Sequence, residues 1–240
     1  MRKIYIQDNP KSMSILEHLE ELRKRFFIVL IIFCIITALC LINIKNISFI
    51  LQEPALGIKF LQLAPGEYIF VSIKMSIYAG IVFSSPFAIY QIILFILPGL
   101  TNKEAKYLIP ILITSICLFF LGIMFSYIIL IPAALNFLIN YGSDIVEPIW
   151  SFEEYFNFIL LLSFSTGLAF QIPVIQLLLG FFNILSSNNM LQYWKYIIFI
   201  STIIGAVITP STDPITQIFM SLAILALYFG GILILKTLKR

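Results

Sequence analysis

Residues 26–44, FFIVLIIFCIITALCLINI, carry no charged side chain over their whole length. An α-helix rises about 1.5 Å per residue, so about 20 apolar residues cross the ~30 Å hydrocarbon core of a bilayer. This run therefore predicts a transmembrane helix. The strict alternation of apolar and polar residues that is typical of a membrane β-strand is absent from it.

Five further apolar runs follow in the 240-residue chain. The six predicted spans cover about residues 26–44, 69–97, 107–138, 156–185, 193–208 and 215–235. Hydrophobic residues make up 60% of the chain, charged residues make up 11%, and the mean hydropathy is +1.03. Soluble domains contain about 25% charged residues. The composition therefore excludes a soluble fold and predicts an all-α integral membrane protein with one membrane domain over residues 1–240.

The predicted spans differ in length. The second, third and fourth runs exceed one span and contain proline, so these helices should tilt, kink or protrude. The fifth run is short, and only the turn Pro-Ser-Thr-Asp-Pro at residues 210–214 separates it from the sixth. We therefore expect a concave bundle in which the last two helices are short.

The distribution of basic residues predicts the orientation. An even number of spans places both termini on one side, and Lys and Arg favour the cytoplasmic side. With the N-terminus inside, only three of the 15 Lys and Arg residues lie outside, namely Lys45, Lys59 and Lys74. We predict that both termini lie in the cytoplasm or stroma. The long outer loops, about residues 45–68 and 139–155, should form small caps.

Several functions are excluded by the residues that are present. His18 is the only histidine, so bis-histidine haem ligation and a Ser–His membrane protease are excluded. No phosphate-binding loop and no metal-ligand spacing occur. Cys34, Cys40 and Cys117 lie in apolar runs and are interpreted as small core residues. We expect no catalytic residue, no cofactor, no metal and no nucleic-acid partner.

The segment before the first span, residues 1–25, is predicted to form an inner-side interfacial helix that then turns into the span. Ser14-x-x-Glu17 is a capping box, which predicts a helix start. Glu17 and Glu21 lie four residues apart on one face. Two interpretations stay open: the acidic residues pair with basic residues four positions later, such as Arg25, or they await a cation from a partner.

Two other stretches contain polar residues at informative places. Phe95 and Glu104 flank a Pro-Gly helix stop, and Glu104 also completes the capping box Thr101-x-x-Glu104. Gln171 lies near the middle of the fourth span, where a polar amide must find a partner. It should face the concave side or a polar residue on a neighbouring helix; structural glue, bonded to the carbonyl freed by Pro173, is the alternative.

Four ordered motifs carry a family resemblance. They are E-H-L-E-E-L-R-K-R at 17–25, S-P-x-x-x-Y-Q-x-x-x-F-x-x-P-G-L-x-x-x-E at 85–104, G-L-x-F-Q-x-P-V at 167–174 and I-T-P-S-T-D-P-x-T-Q at 208–217. The chain thereby resembles TatC, the multispanning receptor of the twin-arginine protein translocase. Residues 53–68 further resemble the cyanobacterial and plastid branch, and the absence of a transit peptide favours a plastid-encoded protein.

The resemblance implies a function. TatC-like proteins bind signal peptides bearing an Arg-Arg pair and help pass folded proteins across an energised membrane by the proton-motive force. Their partners are TatA- and TatB-type single-span subunits, membrane lipids and further copies of the chain. Positions carried over from the family are Glu21 and Glu104, with Arg23 and Phe95 beside them, for the twin arginines, and Pro54 and Asp213 for the outer loops. Glu17 is a further candidate for the arginine site. The family often has Glu where this chain has Gln171, so a proton-carrying role is not expected there, and we expect Gln171 to contact a partner helix at membrane depth.

Two other classes of function are alternatives to this one. A secondary transporter of small solutes should contain inverted repeats and mid-membrane charges, which this sequence lacks. A scaffold subunit of a photosynthetic or respiratory complex is not excluded by composition. The expected location is the plastid thylakoid membrane, with the bacterial inner membrane as the alternative.

Overall fold

The computed structural model describes residues 15–55, 57–96, 102–141, 149–182, 184–209 and 213–237, and for residues 15 and 102–107 the backbone only. The α-helices are α1 Ile15–Ile42, α2 Ile44–Gln52, α3 Glu67–Ile96, α4 Asn102–Phe125, α5 Ile131–Asn140, α6 Phe152–Ala169, α7 Ile172–Phe181, α8 Ser187–Gln192, α9 Trp194–Ile208 and α10 Pro214–Thr237. The strands are β1 Lys59–Leu61 and β2 Ile149–Ser151.

Five helical segments of the described chain are long and apolar enough to cross a membrane, and α9 is a shorter apolar helix. The expectation of two short last helices is confirmed for α9, whose 15 residues rise about 22 Å. It is wrong for α10, whose 24 residues rise about 36 Å. Pro214 suits the first turn of α10, no helix breaker follows before Thr237, and Lys236 complements the helix C-terminus.

The first helix also differs from the expectation. α1 runs without a break from Ile15 to Ile42, so no turn separates an interfacial helix from the first span. Its 28 residues rise about 42 Å, which exceeds the ~30 Å hydrocarbon core. No Gly or Pro lies within it to stop the helix. The first turns of α1 therefore extend beyond the core as a continuation of the span.

The helices accommodate the prolines of the long apolar runs in different ways. α3 continues through Pro86, which has no N–H to offer the Val82 carbonyl, and the Ser85 hydroxyl donates to that oxygen at 2.7 Å instead. A π-helical turn, Ser126–Leu130, joins α4 to α5, which has Pro132 in its first turn. The fourth run breaks between α6 and α7 at Phe170–Gln171, just before Pro173.

We call the end of the bundle that carries Ile15 the N-terminal end, and the other the opposite end. At the opposite end β1 and β2 form a two-stranded parallel sheet, with Phe60 beside Trp150. The Tyr127 hydroxyl donates to the Ile50 carbonyl, and the Tyr155 hydroxyl donates to the Leu51 carbonyl, each at 2.8 Å. The segments at this end, which include α2, β1 and β2, therefore form a cap that hydrogen bonds tie to the membrane-spanning helices.

Glu67 holds this cap to the helices. Its carboxylate accepts hydrogen bonds from the backbone N–H groups of Leu63 at 2.6 Å, Ala64 at 3.0 Å and Glu153 at 2.9 Å. Glu67 is the first residue of α3, and Glu153 lies in the first turn of α6. A carboxylate is stabilising at a helix N-terminus, so one side chain serves the starts of two helices.

Candidate functional site

Arg25 joins α1 to α3 near the N-terminal end. Its guanidinium donates through Nε and Nη2 to Glu21 Oε1, with the Nε distance at 2.9 Å, and through Nη1 to Gln91 Oε1 at 3.0 Å. Only 22% of the Arg25 side chain and 19% of the Glu21 side chain are exposed. The Glu21–Arg25 pair expected from the i,i+4 spacing is therefore present, and Gln91 extends it to a second helix.

Two aromatic rings lie beside this pair. The His18 ring stacks on Phe95 with a centroid distance of 4.1 Å and an interplanar angle of 15°. His18 Nδ1 lies 4.0 Å from Glu21 Oε2, an oxygen that has no hydrogen-bond partner among the described residues. His18, Glu21 and Arg25 share one face of α1 because they are three and four residues apart, and Gln91 and Phe95 share one face of α3 for the same reason.

The remaining residues predicted for this site lie on α1 and at the start of α4. Glu17 and Arg23 are exposed on α1. Glu104 lies in the first turn of α4, and its side chain is outside the described part of the protein. Thr101 and Ser14, which would complete the two capping boxes, are likewise outside the described residues.

Gln171 lies at the break between α6 and α7 and bonds to α4. The Ser115 hydroxyl donates to Gln171 Oε1 at 2.5 Å, and Gln171 Nε2 donates to the Ser115 carbonyl at 3.1 Å. The expectation that the amide finds a polar residue on another helix matches this geometry. The carbonyl freed by Pro173 is not its described partner.

Gln171 and Ser115 line an open groove with a volume of about 610 Å³. The groove is almost entirely apolar and lies between α1, α3, α4, α6 and α7; its lining includes Val29, Ile81 and Phe164. A groove of this kind suits an apolar helix or acyl chains. The Gln171 amide is the largest polar group in its wall.

Pro54 and Asp213 occupy structural positions at the opposite end. Pro54 lies in the 3₁₀ turn Glu53–Ala55 that follows α2. Asp213 is 2% exposed, and its Oδ2 accepts from the Thr216 N–H at 2.9 Å. This is the geometry of a helix N-cap for α10, with Pro214 at the first helical position.

Sequence reasoning passed over several polar residues. Gln91 contacts Arg25, and Ser115 contacts Gln171, only because the helices pack together in the folded chain. Gln176 is 5% exposed, and neither atom of its amide has a hydrogen-bond partner among the described residues. A second Gln only five residues after Gln171 in the same apolar run was the available signal. The described residues contain no group of three His, Cys, Asp or Glu side chains that could hold a metal.

The fold and these contacts define a multi-pass, all-α membrane protein with an apolar groove. Beside the groove, at one end of the bundle, lies a charged junction formed by Glu21, Arg25 and Gln91. Residues 17–222 match the family model of TatC, the Sec-independent protein translocase protein. The chain belongs to the TatC family. Members of this family are translocase components, not enzymes.

Similar proteins agree with this assignment. A tatC-like protein, ycf43, of Gracilaria tenuistipitata var. liui is 68% identical over 95% of this chain and 96% of its own length. TatC of Synechocystis sp. is 51% identical over 95% of this chain and 91% of its own length. Chloroplastic TATC of Pisum sativum is 47% identical over 96% of this chain and 66% of its own length. The protein is therefore a multi-pass protein of the thylakoid or bacterial inner membrane.

A solved structure shares the fold. The crystal structure of a twin-arginine translocase receptor, TatC, superposes with a TM-score of 0.81 at 35% identity. The match covers 93% of this chain and 100% of that chain. The predicted six-helix membrane fold is thereby confirmed.

Proposed function

We propose that this chain is the receptor for twin-arginine signal peptides in a Tat translocase, with the N-terminal end of its bundle on the inner side. One observation carries the proposal: Glu21 accepts a guanidinium group, that of Arg25, beside the stacked rings of His18 and Phe95. The junction is thus built to hold arginine. The family assignment supports the same role.

The chemistry of arginine explains the specificity. A guanidinium is always charged and presents a planar fork of N–H donors, whereas an ammonium is a compact point charge. Glu21 and Glu104 each take one guanidinium of the peptide, and Glu17 adds negative charge at the start of α1. Phe95 provides an aromatic ring on which a guanidinium group of the peptide packs. Arg23, two residues after Glu21 and exposed on α1, orients the peptide backbone.

The apolar groove supports a membrane-embedded partner. TatA- and TatB-type single-span subunits dock against the membrane-embedded surface, and Gln171 supplies a polar contact at membrane depth. Further copies of the chain complete a receptor complex. Transport of the folded cargo uses the proton-motive force.

Peptide binding to the full-length chain in lipid nanodiscs tests the receptor role. A labelled peptide with an Arg-Arg pair should bind more tightly than the same peptide with Lys-Lys. Glu21→Gln and Glu104→Gln should each weaken Arg-Arg binding by about 1–3 kcal/mol, the range for hydrogen bonds to charged groups. The double variant should lose less than the sum, because both residues serve one ligand.

Glu20→Gln is the matched control, because Glu20 is an exposed carboxylate in the same turn of α1. It should leave the affinity nearly unchanged. Equal affinity of the wild-type chain for Arg-Arg and Lys-Lys peptides would refute the receptor role of this site.

A further inference from the structure

Arg25 occupies the carboxylate that a peptide arginine would need. Two of its nitrogens, Nε and Nη2, donate to the same oxygen of Glu21. About four-fifths of each side chain is buried, so the two charges are poorly solvated and depend on each other. The carboxylate of Glu21 is therefore already neutralised before any peptide arrives.

A second guanidinium gains little from a carboxylate that is already paired. It would meet the positive charge of Arg25 at close range, and the like charges would repel each other. Glu21 Oε1 is already taken by two donors, so only Oε2 is left for a second ligand, and a bidentate guanidinium needs both oxygens. Full use of Glu21 by a peptide arginine therefore requires Arg25 to leave the carboxylate.

Gln91 provides a place for Arg25 to remain. The third donor of Arg25, Nη1, already bonds to Gln91 Oε1 at 3.0 Å, and Gln91 belongs to α3. A guanidinium that rotates off Glu21 keeps this neutral acceptor. The tie between α1 and α3 thus survives the exchange.

We infer that Arg25 is a built-in competitor of the twin-arginine site: it occupies Glu21 in the resting receptor, and a peptide arginine displaces it toward Gln91. This inference rests on the proposed receptor function of the same site. The Glu21–Arg25 contact therefore lowers the apparent affinity of every ligand that must displace Arg25. Only a ligand with a guanidinium fork of its own replaces the internal one at equal strength.

Arg25→Gln tests the competition directly. The variant frees Glu21, and the apparent affinity for the Arg-Arg peptide should rise about three- to ten-fold, because the binding-competent fraction of the receptor rises. The matched control is Lys24→Gln, since Lys24 is an exposed residue next to Arg25 and its replacement removes the same charge. The control should change the affinity less than about two-fold.

Two further variants separate competition from a structural role. Gln91→Leu removes the alternative acceptor, so Arg25 should hold Glu21 more firmly and the Arg-Arg peptide should bind more weakly. That loss should vanish in the Arg25→Gln background, because there is then no arginine to retain. Arg25→Lys keeps the charge without the fork, and its affinity should lie between those of the wild-type and Arg25→Gln chains.

The outcomes distinguish this inference from the proposed function. If the wild-type chain prefers the Arg-Arg peptide but Arg25→Gln binds it equally or more weakly than Lys24→Gln does, the competition is refuted and the receptor role stands. If Arg25→Gln does not insert, equal affinity of the Arg25→Lys and wild-type chains refutes the competition. If the wild-type chain does not prefer Arg-Arg, the receptor role itself fails.

Discussion

Ser115 and Gln171 form a two-way hydrogen-bonded pair in the wall of the apolar groove. The serine hydroxyl donates to the amide oxygen, and the amide nitrogen donates to the serine carbonyl. A glutamine amide has two N–H donors and two acceptor lone pairs. The pair uses one donor and one acceptor, so the amide keeps bonding capacity for a partner helix in the groove.

Gln171→Leu should leave the bundle inserted and Arg-Arg peptide binding intact, while recruitment of a TatA-type subunit falls. Interhelical hydrogen bonds in membranes contribute only about 0.6 kcal/mol on average, so the stability cost should be small. Photocrosslinking from a photoreactive group at Phe164, another residue of the groove wall, on an energised membrane measures the recruitment.

Ser115→Ala is the matched control for this prediction. It breaks the side-chain half of the pair but leaves the Gln171 amide in the groove, so recruitment should persist. Equal loss of recruitment in both variants, or no crosslink from position 164 in the wild-type background, would mean that Gln171 has a structural role only.

Glu67→Gln should lower the melting temperature in detergent. Three backbone N–H groups point at the carboxylate, and an amide would turn a donor toward at least one of them. Leaving a buried donor without an acceptor costs about 1–3 kcal/mol.

Glu154→Gln serves as the control for Glu67→Gln, because Glu154 is an exposed carboxylate of the first turn of α6. Its melting temperature should stay near that of the wild-type chain. A Glu67→Gln variant as stable as this control would show that the carboxylate does not hold the cap.

Local patterns in the sequence predicted local structure well. The length of each apolar run predicted the membrane spans, because about 20 apolar helical residues cross the hydrocarbon core. The i,i+4 spacing gave the Glu21–Arg25 pair as one of two interpretations, and the structure contains that pair. The interfacial turn before the first span was a wrong expectation, since no helix breaker lies between Ile15 and Ile42 to end the helix there.

Contacts between distant segments escaped the sequence analysis. Strands β1 and β2 are three residues each and lie almost 90 positions apart, so no periodic pattern marks them. Gln91 faces Arg25 only because of how α3 is rotated against α1. Such pairings depend on tertiary packing, which a single sequence does not encode in its local spacing.

Cysteine labelling tests the orientation. The charge distribution predicts the N-terminal end inside, so Leu63→Cys in the cap should react with an impermeant thiol reagent from the outer side, and Glu20→Cys only from the inner side. Leu63 is 72% exposed, whereas Gly57 in the same loop has a φ of 98° and would be strained by any side chain. The background chain has Cys34, Cys40 and Cys117 replaced.

Labelling of Leu63→Cys from the inner side alone would mean that the predicted orientation is wrong. The inner-side placement of Glu21 and its neighbours would then be wrong as well. Both sites lie in described, exposed segments, so slow reaction from burial is not expected.

Gly231→Ala should destabilise the bundle, whereas Gly230→Ala should not. A Cβ at Gly231 would lie 2.0 Å from Gln176 Oε1 and 3.2 Å from the Pro173 Cα, while a Cβ at Gly230 meets nothing within 4 Å. Overpacking of a core costs about 1–3 kcal/mol. Thermal unfolding in detergent should therefore separate the two neighbouring variants.

The same contact makes a second, sharper prediction about Gln176. Its amide is buried without a hydrogen-bond partner among the described residues, so Gln176→Met, which keeps the volume and removes the polar atoms, should leave the stability unchanged or raise it. In a Gln176→Ala background Gly231→Ala should cost less, because the nearer obstacle is gone and only the Pro173 backbone remains. A loss of stability on Gln176→Met would instead mean that the amide has a hydrogen-bond partner, and an equal cost of Gly231→Ala in the wild-type and Gln176→Ala backgrounds would refute the steric contact.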